Sequence, residues 1–458
     1  MARSHKTGYV CQNCGVFMPR WAGQCPECKS WDAIVEAPPP VAHPSRPILA
    51  GGYAGQSSEV VALSAISSQP PQRVSCGSSE MDRVLGSGLV PGSVTLLGGE
   101  PGIGKSTLLL QLVVFLAQGM KFLYVAGEES REQIALRARR LGVHQAPISL
   151  FTESCVEQVL HVIQQQKPAL VVLDSIQSAY SDQLPSAPGT VSQVRECAAM
   201  LVRCAKQQGI TMLLIGHVTR EGHIAGPKVL EHMVDTVLYF ESDAGSRFRM
   251  VRAFKNRFGT INELAVFLMT EQGLKEITNP SALFLSRSEK NSSGSVIACI
   301  QEGTRALLLE VQALTDTANG SAGVRRLSMG IDSSRLMMLL AVLHRHGGVQ
   351  TAGLDVFINV VGGMRVTETS TDLPMLLAVT SSLKNRPVDR SLAVFGEVGL
   401  SGEVRPVPNG ELRLMEAAQH GFTRVIVPKG NAPRQGIEGM QLHVVTDLQE
   451  ALTSADLA

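Results

Sequence analysis

This sequence lacks any uninterrupted run of about 18 apolar residues, the length that a membrane-spanning helix needs. Residues 1–6 contain no hydrophobic segment of the kind that a secretory signal carries. An excess of either charge is also missing, since 41 Lys and Arg residues oppose 40 Asp and Glu residues and the net charge is +1. We therefore expect a soluble cytoplasmic protein without a membrane partner, and any nucleic-acid contact must come from local basic patches.

No internal repeat with a period of about 20 to 50 residues is visible, which excludes repeat architectures. The chain of 458 residues with 44% hydrophobic content is instead long enough for packed domains. Proline, glycine and serine are concentrated in residues 37–72, a composition typical of a linker.

A glycine-rich loop lies between an apolar run at residues 94–97 and a helical pattern at 108–112. It reads Gly99-Glu100-Pro101-Gly102-Ile103-Gly104-Lys105-Ser106-Thr107. Such a P-loop wraps backbone N–H groups around the phosphates of a nucleotide at a helix N-terminus. Lys105 is expected to reach the β and γ phosphates of ATP, and Ser106 is expected to coordinate Mg²⁺.

Two further apolar runs end in acidic residues. Residues 169–173 lead into Asp174, the position of a Walker B aspartate that holds the metal ion. Residues 122–126 lead into Gly127, Glu128 and Glu129. A glutamate there can orient and deprotonate the attacking water, and we favour Glu128 as this base. Glu129 is the alternative, and both acids also suit the first turn of the next helix.

Four of the nine cysteines form two Cys-x2-Cys pairs, Cys11 with Cys14 and Cys25 with Cys28. This spacing suits tetrahedral thiolate ligation of Zn²⁺, with iron–sulfur or redox chemistry as the alternative. A module this small has little core of its own, so the metal would hold it folded. The other five cysteines are scattered and are predicted to be buried, inert thiols.

Short apolar runs alternate with helical patterns from Val74 to about residue 275. After a P-loop, this alternation predicts an α/β domain with a mostly parallel sheet and, at its end, added antiparallel strands. Residues 295–458 mix strands and helices in an α+β pattern without a second nucleotide motif. The predicted organisation is a four-cysteine zinc module in residues 1–36, a linker in 37–72, a P-loop ATPase domain in 73–278 and an α+β domain in 285–458.

These features, in this order, resemble the RadA (Sms) family of bacterial DNA repair and recombination ATPases. The resemblance covers nearly the whole chain and is most specific in the pentapeptide Lys255-Asn256-Arg257-Phe258-Gly259. It implies a RecA-like ATPase core, a Lon-protease-like C-terminal domain and the cofactors ATP, Mg²⁺ and Zn²⁺. It also implies a DNA-dependent ATPase with DnaB-like helicase activity, which drives branch migration with RecA on single-stranded DNA and branched recombination intermediates, as a hexameric ring.

The similarity to RecA and DnaB-type helicases also suggests residue roles. Residues 176–195 and 217–231 correspond to mobile DNA-binding loops, with Arg220 and Lys228 as candidates for phosphate contacts. An ordinary surface loop is the open alternative. His217 is either a sensor of the nucleotide or a satisfied strand-end histidine. Lys255 and Arg257 would act at a neighbouring subunit's ATP, or form a solvated basic edge.

The Lon-like part departs from the protease. Thr369-Ser370-Thr371-Asp372-Leu373 stands where Lon has Gly-Pro-Ser-Ala-Gly, and no lysine lies between Lys384 and Lys429. A serine–lysine dyad cannot be assembled without the lysine. We therefore predict a scaffold for ring assembly and DNA contact in place of a peptidase. We expect the zinc module to contact RecA, and contact of this module with DNA is the open alternative. An ATP-switched DNA clamp or RecA-loading factor remains the alternative to a motor.

Overall fold

The computed structural model describes residues 8–11, 16–18, 20–31, 33–37, 62, 72–117, 119–217, 229–242, 247–285, 292–318 and 323–458. The chain divides into two compact units, Met1–Ile277 and Thr278–Ala458. Cys14, Arg220, Lys228 and most of the predicted linker lie outside the described residues. Among the helices that are described, none is long and apolar enough to cross a membrane.

The N-terminal strands form a small antiparallel sheet. Strands β1 (Gly8–Cys11), β2 (Phe17–Met18) and β3 (Ile34–Ala37) pair in the order β2-β1-β3. The buried side chains beneath them are Cys11, Met18, Cys25 and Ile34. Two of these four side chains are cysteines, so the hydrophobic core is too small to stabilise the module by itself.

A large sheet with helices follows in the first unit. Its elements are α1 (Ser79–Leu85), β4 (Val94–Gly99), α2 (Lys105–Ala117), β5 (Phe122–Ala126), α3 (Arg131–Arg140), β6 (Ile148–Thr152), α4 (Val156–Gln166), β7 (Leu170–Asp174), α5 (Val191–Gln208), β8 (Thr211–His217), α6 (Val229–Met233), β9 (Thr236–Glu241), β10 (Phe248–Asn256), β11 (Leu264–Thr270) and β12 (Gly273–Glu276). Within the described residues the strand order is β12-β11-β10-β9-β4-β8-β7-β5-β6.

Strands β4 to β9 pair in parallel, and β10, β11 and β12 are added antiparallel. This confirms the predicted sheet. Every residue of β4, β5 and β7 is buried, because hydrophobic clusters cover both faces of the sheet. The carboxyl ends of parallel strands meet at one edge, and the register places Gly99 opposite His217 and Ala126 opposite Asp174.

The second unit has a mixed sheet and is α+β, as predicted. Its elements are α7 (Ser281–Phe284), β13 (Ser295–Glu302), β14 (Arg305–Thr317), β15 (Arg326–Met329), α8 (Ser333–Gly347), β16 (Leu354–Val360), α9 (Asp372–Lys384), β17 (Leu392–Val394), β18 (Glu397–Val398), β19 (Val404–Arg405), α10 (Gly410–Gln419), β20 (Arg424–Pro428), β21 (Gln441–Val445) and α11 (Leu448–Ser454). In the part of this unit that the structure describes, the main sheet has the order β15-β16-β14-β13-β17-β20-β21.

Candidate active site

The loop after β4 forms an open cradle at the start of α2. Gly102 has a φ of +76° and Gly104 a φ of +118°, which L side chains rarely adopt. Apart from Gly102 and its two chain neighbours, no atom of the described residues lies within 4 Å of the position that a Cβ on Gly102 would occupy. Arg249 on β10 supports the loop, since its Nε donates to the carbonyl oxygen of Ile103 at 3.1 Å. The cradle at a helix N-terminus fits the phosphates of ATP.

Lys105 is buried beside this cradle. Its Nζ donates to the carbonyl oxygens of Gly99 and Glu100, both at 2.8 Å, and lies 3.3 Å from Nδ1 of His217. Burial lowers the pKa of Lys105 to about 8, although nearby carboxylates, Asp174 foremost, act in the opposite direction. An anionic phosphate in the cradle would favour the charged ammonium.

Ser106 and Asp174 form a pair of oxygen ligands suited to Mg²⁺. The Ser106 side chain lies close to the buried Asp174 carboxylate and acts to lower its pKa. Burial raises the pKa of Asp174, while hydrogen bonds from Ser106 and Tyr124 oppose this rise. The buried Tyr124 on β5 donates its hydroxyl to Oδ2 of Asp174 at 2.6 Å. The sequence did not predict this role of Tyr124, because the residue lies inside an apolar strand. Its phenol hydroxyl, a polar group in a buried run, is the one feature that could have indicated it.

The two glutamates after β5 have different surroundings. Glu128 is exposed, and its Oε1 lies 3.2 Å from Nε2 of His217 and accepts a hydrogen bond from Ser175. The contact with His217 is the main cause that lowers the pKa of Glu128, so it remains the carboxylate that a general base requires. Glu129 instead accepts two hydrogen bonds of 2.6 Å from Arg137 on α3. The geometry favours Glu128 as the base.

His217 connects three parts of this edge. Its ring lies within hydrogen-bond distance of Lys105 on one nitrogen and of Glu128 on the other. Its carbonyl oxygen accepts from Nε2 of Gln177 at 3.4 Å, just after β7. The second predicted DNA loop, residues 217–231, begins at His217 itself, but residues 218–228 lie outside the described part of the chain. His217 is therefore placed where a change at Lys105 or Glu128 can reach that segment.

The first predicted DNA loop is held against α5. The buried Gln193 accepts from the backbone N–H of Ser181 at 2.9 Å and donates to the carbonyl oxygens of Leu184 at 3.3 Å and Ser186 at 2.8 Å. The basic residue of the predicted loop 176–195 is Arg195, which is exposed and lies in α5. This segment therefore has a defined conformation here and offers a phosphate one cation, at its C-terminal end.

Lys255 and Arg257 lie at the opposite end of the sheet from the P-loop. Nζ of Lys255 donates to the carbonyl oxygens of Glu231 at 2.6 Å and Val234 at 2.8 Å. Arg257 is 59% exposed, and its Nη1 lies 3.6 Å from Oδ1 of Asp235. Asp235 bonds the start of β4, whereas the P-loop follows the far end of that strand, about 17 Å away at the usual rise per residue. Neither cation can reach the P-loop of its own chain.

Other residues of the pentapeptide stabilise its turn. Asn256 donates to the carbonyl oxygen of Val84 at 3.2 Å and accepts from the N–H of Phe258 at 2.9 Å. A Cβ added to Gly259 would lie 2.6 Å from the Cα of Gly86. The close approach of the two backbones requires glycine. Arg257 is the exposed cation of this segment.

Three of the four predicted zinc ligands lie together. The Sγ atoms of Cys11, Cys25 and Cys28 are within 4.8 Å of one another, and those of Cys11 and Cys28 are 3.6 Å apart. Thiolates around a tetrahedral zinc ion with bonds of about 2.3 Å lie about 3.8 Å from each other. The three sulfurs therefore fit Zn²⁺.

The scattered cysteines are buried free thiols, as predicted, and burial raises the pKa of each: Cys76, Cys155, Cys197, Cys204 and Cys299. High pKa values keep these thiols protonated and poorly nucleophilic.

The Lon-like segment holds its polar groups in pairs of which one member is buried. Ser370 is buried and donates its hydroxyl to Glu368, and Glu368 is bound on both oxygens by the fully buried Arg413, at 2.9 and 2.7 Å. Asp372 is paired with Arg335. A guanidinium does not release its proton and cannot serve as a general base. The described residues of this segment thus offer no serine–lysine dyad.

The P-loop, the acid at the end of β7 and the glutamate after β5 share one edge of a mostly parallel sheet, which defines a P-loop ATPase with a RecA-like fold. Three family models match parts of the chain: an AAA domain at residues 72–223, a rubredoxin metal binding domain at 9–36 and the subunit ChlI of Mg-chelatase at 335–431.

Curated relatives from several bacteria carry the name DNA repair protein RadA. The Pseudomonas aeruginosa protein is 54% identical over 447 residues, which are 98% of each chain. The Escherichia coli protein is 52% identical over 462 residues and 100% of both chains, and the Bacillus subtilis protein is 42% identical over 453 residues and 98% of both. The chain therefore belongs to the RadA family of DNA repair ATPases. A structure of the RadB recombinase matches 44% of this chain and 99% of its own at 25% identity, with a TM-score of 0.37.

Proposed function

We propose that this protein is a DNA-dependent ATPase that drives branch migration and heteroduplex extension at recombination intermediates, acting with RecA in the cytoplasm. The main supporting observation is the contact of His217 with both Lys105 and Glu128 at the end of β8. This contact joins the nucleotide site to the segment that contains Arg220 and Lys228. We assign these two cations to the phosphates of single-stranded DNA.

In this proposal the loop from Gly99 to Thr107 holds the phosphates of ATP, and Ser106 and Asp174 hold Mg²⁺, which neutralises phosphate charge. Tyr124 keeps Asp174 in place. Glu128 orients the attacking water and accepts its proton. When the Lys105 side chain turns into the cradle to meet the phosphates, His217 loses its contact with Lys105. This change at His217 shifts the chain that follows β8.

Lys255 and Arg257 would complete a neighbour's site. The exposure of Arg257, and its distance from its own P-loop, support a role across a subunit contact. A head-to-tail contact of this kind closes into a ring, for which we propose six subunits. Lys255 is bound to two carbonyl oxygens in this chain, so Arg257 is the better candidate for direct contact with ATP.

The deciding experiment combines ATP turnover, with and without single-stranded DNA, and a branch-migration assay with RecA. We expect DNA to stimulate turnover of the wild type, and the Glu128→Gln variant to bind ATP without hydrolysing it or moving branches. Glu129→Gln is the matched control. Full branch extension by Glu128→Gln with ATP bound would show that hydrolysis is dispensable, and the protein would then be an ATP-switched clamp or a RecA-loading factor.

A further inference from the structure

The tryptophans of this chain are concentrated in the zinc module. The sequence of 458 residues contains 2 tryptophans, Trp21 and Trp31. Their exposed fractions are 61% and 70%. Tryptophan is usually largely buried in a folded protein, since its large ring gains most from burial. The fold of the module therefore does not explain why both indoles face solvent.

The two indoles border the same glycine. A Cβ added to Gly23 would lie 3.8 Å from Cζ3 of Trp31 and 3.9 Å from Cη2 of Trp21. Trp31 is positioned by an antiparallel bridge with Gln24, next to the turn that carries Cys25 and Cys28. The six-membered rings thus form one aromatic patch, which we call the Trp21–Trp31 platform. A larger residue than glycine would narrow the space between them.

Two exposed cations lie near the tryptophans in the sequence. Arg20 precedes Trp21 and Lys29 lies two residues before Trp31, while Glu27 and Asp32 are the nearby acidic residues. Nε2 of Gln24 donates to the carbonyl oxygen of Lys29 at 2.9 Å and so orders the chain that carries this lysine. Aromatic rings flanked by cations are the arrangement that binds single strands, because bases stack on the rings while phosphates meet the cations.

We propose that the Trp21–Trp31 platform binds unpaired bases of single-stranded DNA by stacking, with Arg20 and Lys29 contacting the phosphates. This is a second DNA contact, separate from the segment after β8. It needs no nucleotide, so it does not depend on the proposed motor activity.

The sequence makes the test specific, because intrinsic tryptophan fluorescence of the full chain reports on this platform. We expect oligo(dT) of about 20 nucleotides, added at low salt without ATP, to quench the fluorescence saturably. In the Trp21→Ala/Trp31→Ala variant, the affinity for a dye-labelled oligo(dT), measured by anisotropy, should fall about tenfold or more. Trp31→Phe should retain most of the affinity, and Lys29→Ala should lower the salt slope by about one.

Leu136→Ala is the matched control, since Leu136 is also 70% exposed but lies on α3. It should bind oligo(dT) like the wild type. Zinc content that equals the wild type shows that a tryptophan variant has kept its module. Lys105→Ala should lose ATP turnover and keep the quenching, which separates this inference from the proposed ATPase function. Unchanged fluorescence and affinity, or quenching by RecA alone and not by oligo(dT), would overturn the proposal.

Discussion

The P-loop edge of the ATPase sheet and the segment from Glu368 to Asp372 both gather charged and hydroxyl side chains, yet they use them differently. In the second unit, Glu368 is bound on both oxygens by the buried Arg413, and Asp372 is paired with Arg335. At the P-loop edge, Glu128 is exposed and the space above Gly102 is open.

The comparison shows how a site that stabilises differs from a site that can react. Arg413 and Glu368 neutralise each other's charge and satisfy each other's hydrogen bonds, so they hold β13, α10 and the turn before α9 together. Neither side chain is available to bind a substrate. Lys105 is held by backbone carbonyls and a histidine, and burial lowers its pKa to about 8. Perturbed groups beside an open space are typical of functional sites. Substitutions at the P-loop edge should therefore affect activity, and substitutions in the segment from Glu368 to Asp372 should affect stability.

The largest effect is expected for Glu128→Gln. Turnover at saturating ATP should fall about 10²–10⁴-fold, because the amide cannot accept the proton of the attacking water. Binding of ATP should persist, and thermal unfolding should change little. Glu129→Gln should keep most of the turnover, since Glu129 is occupied by Arg137. A greater loss of turnover in Glu129→Gln than in Glu128→Gln would assign the base to Glu129.

Arg413→Met should destabilise the second unit by about 3–5 kcal/mol, because it leaves Glu368 without its buried partner. Urea unfolding of the full chain measures this loss. The double variant Arg413→Met/Glu368→Met should recover much of it, since both charges are then removed. Equal stabilities of Arg413→Met and the wild type would mean that the pair is not structural.

The pH dependence of ATP affinity tests the surroundings of Lys105. The free site has a pKa of about 8 at Lys105, and bound phosphates should raise it. The affinity for ATP should therefore be highest below this pKa, where Lys105 is charged. It should fall as the pH rises through the pKa, by about tenfold between pH 7.5 and 9. Titration of a fluorescent ATP analogue provides the measurement. The Lys105→Arg variant remains charged and should show a flat profile over the same range.

Mixing two inactive variants tests the action of Arg257 across subunits. The Lys105→Ala variant has an inactive P-loop but keeps Arg257. The Arg257→Ala variant lacks that arginine but keeps an intact P-loop. After subunit exchange at equal amounts, about a quarter of the contacts should pair an intact P-loop with an intact arginine, and turnover should return to that level. If exchange is complete and no turnover returns, Arg257 acts within its own chain or in DNA binding.

The smallest effect on the ATPase sheet is expected from loss of zinc. Elemental analysis should find one Zn²⁺ per chain, and Cys28→Ser should lose it. The unfolding transition of the ATPase sheet should remain in place if residues 37–72 act as a linker. Loss of that transition along with the metal would show that the module and the sheet fold together.

Local motifs explain which features could be predicted from the sequence. The P-loop, the acid after β7 and the cysteine pairs are short patterns whose chemistry depends on neighbouring residues. The buried parallel strands were visible as apolar runs for the same reason. Strands β6, β15 and β21 were not predicted, because they are only partly buried and their residues do not form continuous apolar runs. Helix α11 was missed at the end of the chain.

Contacts between strands that are distant in sequence required the tertiary structure. The order β4-β8-β7-β5 brings His217 between Lys105 and Glu128, and brings Tyr124 to Asp174. No local pattern contains this order, because each parallel neighbour is reached through a crossover helix. The same contacts separate Glu128 from Glu129, which are adjacent in the sequence and chemically alike. Residue type specifies what a side chain can do, while strand order determines which partner it meets.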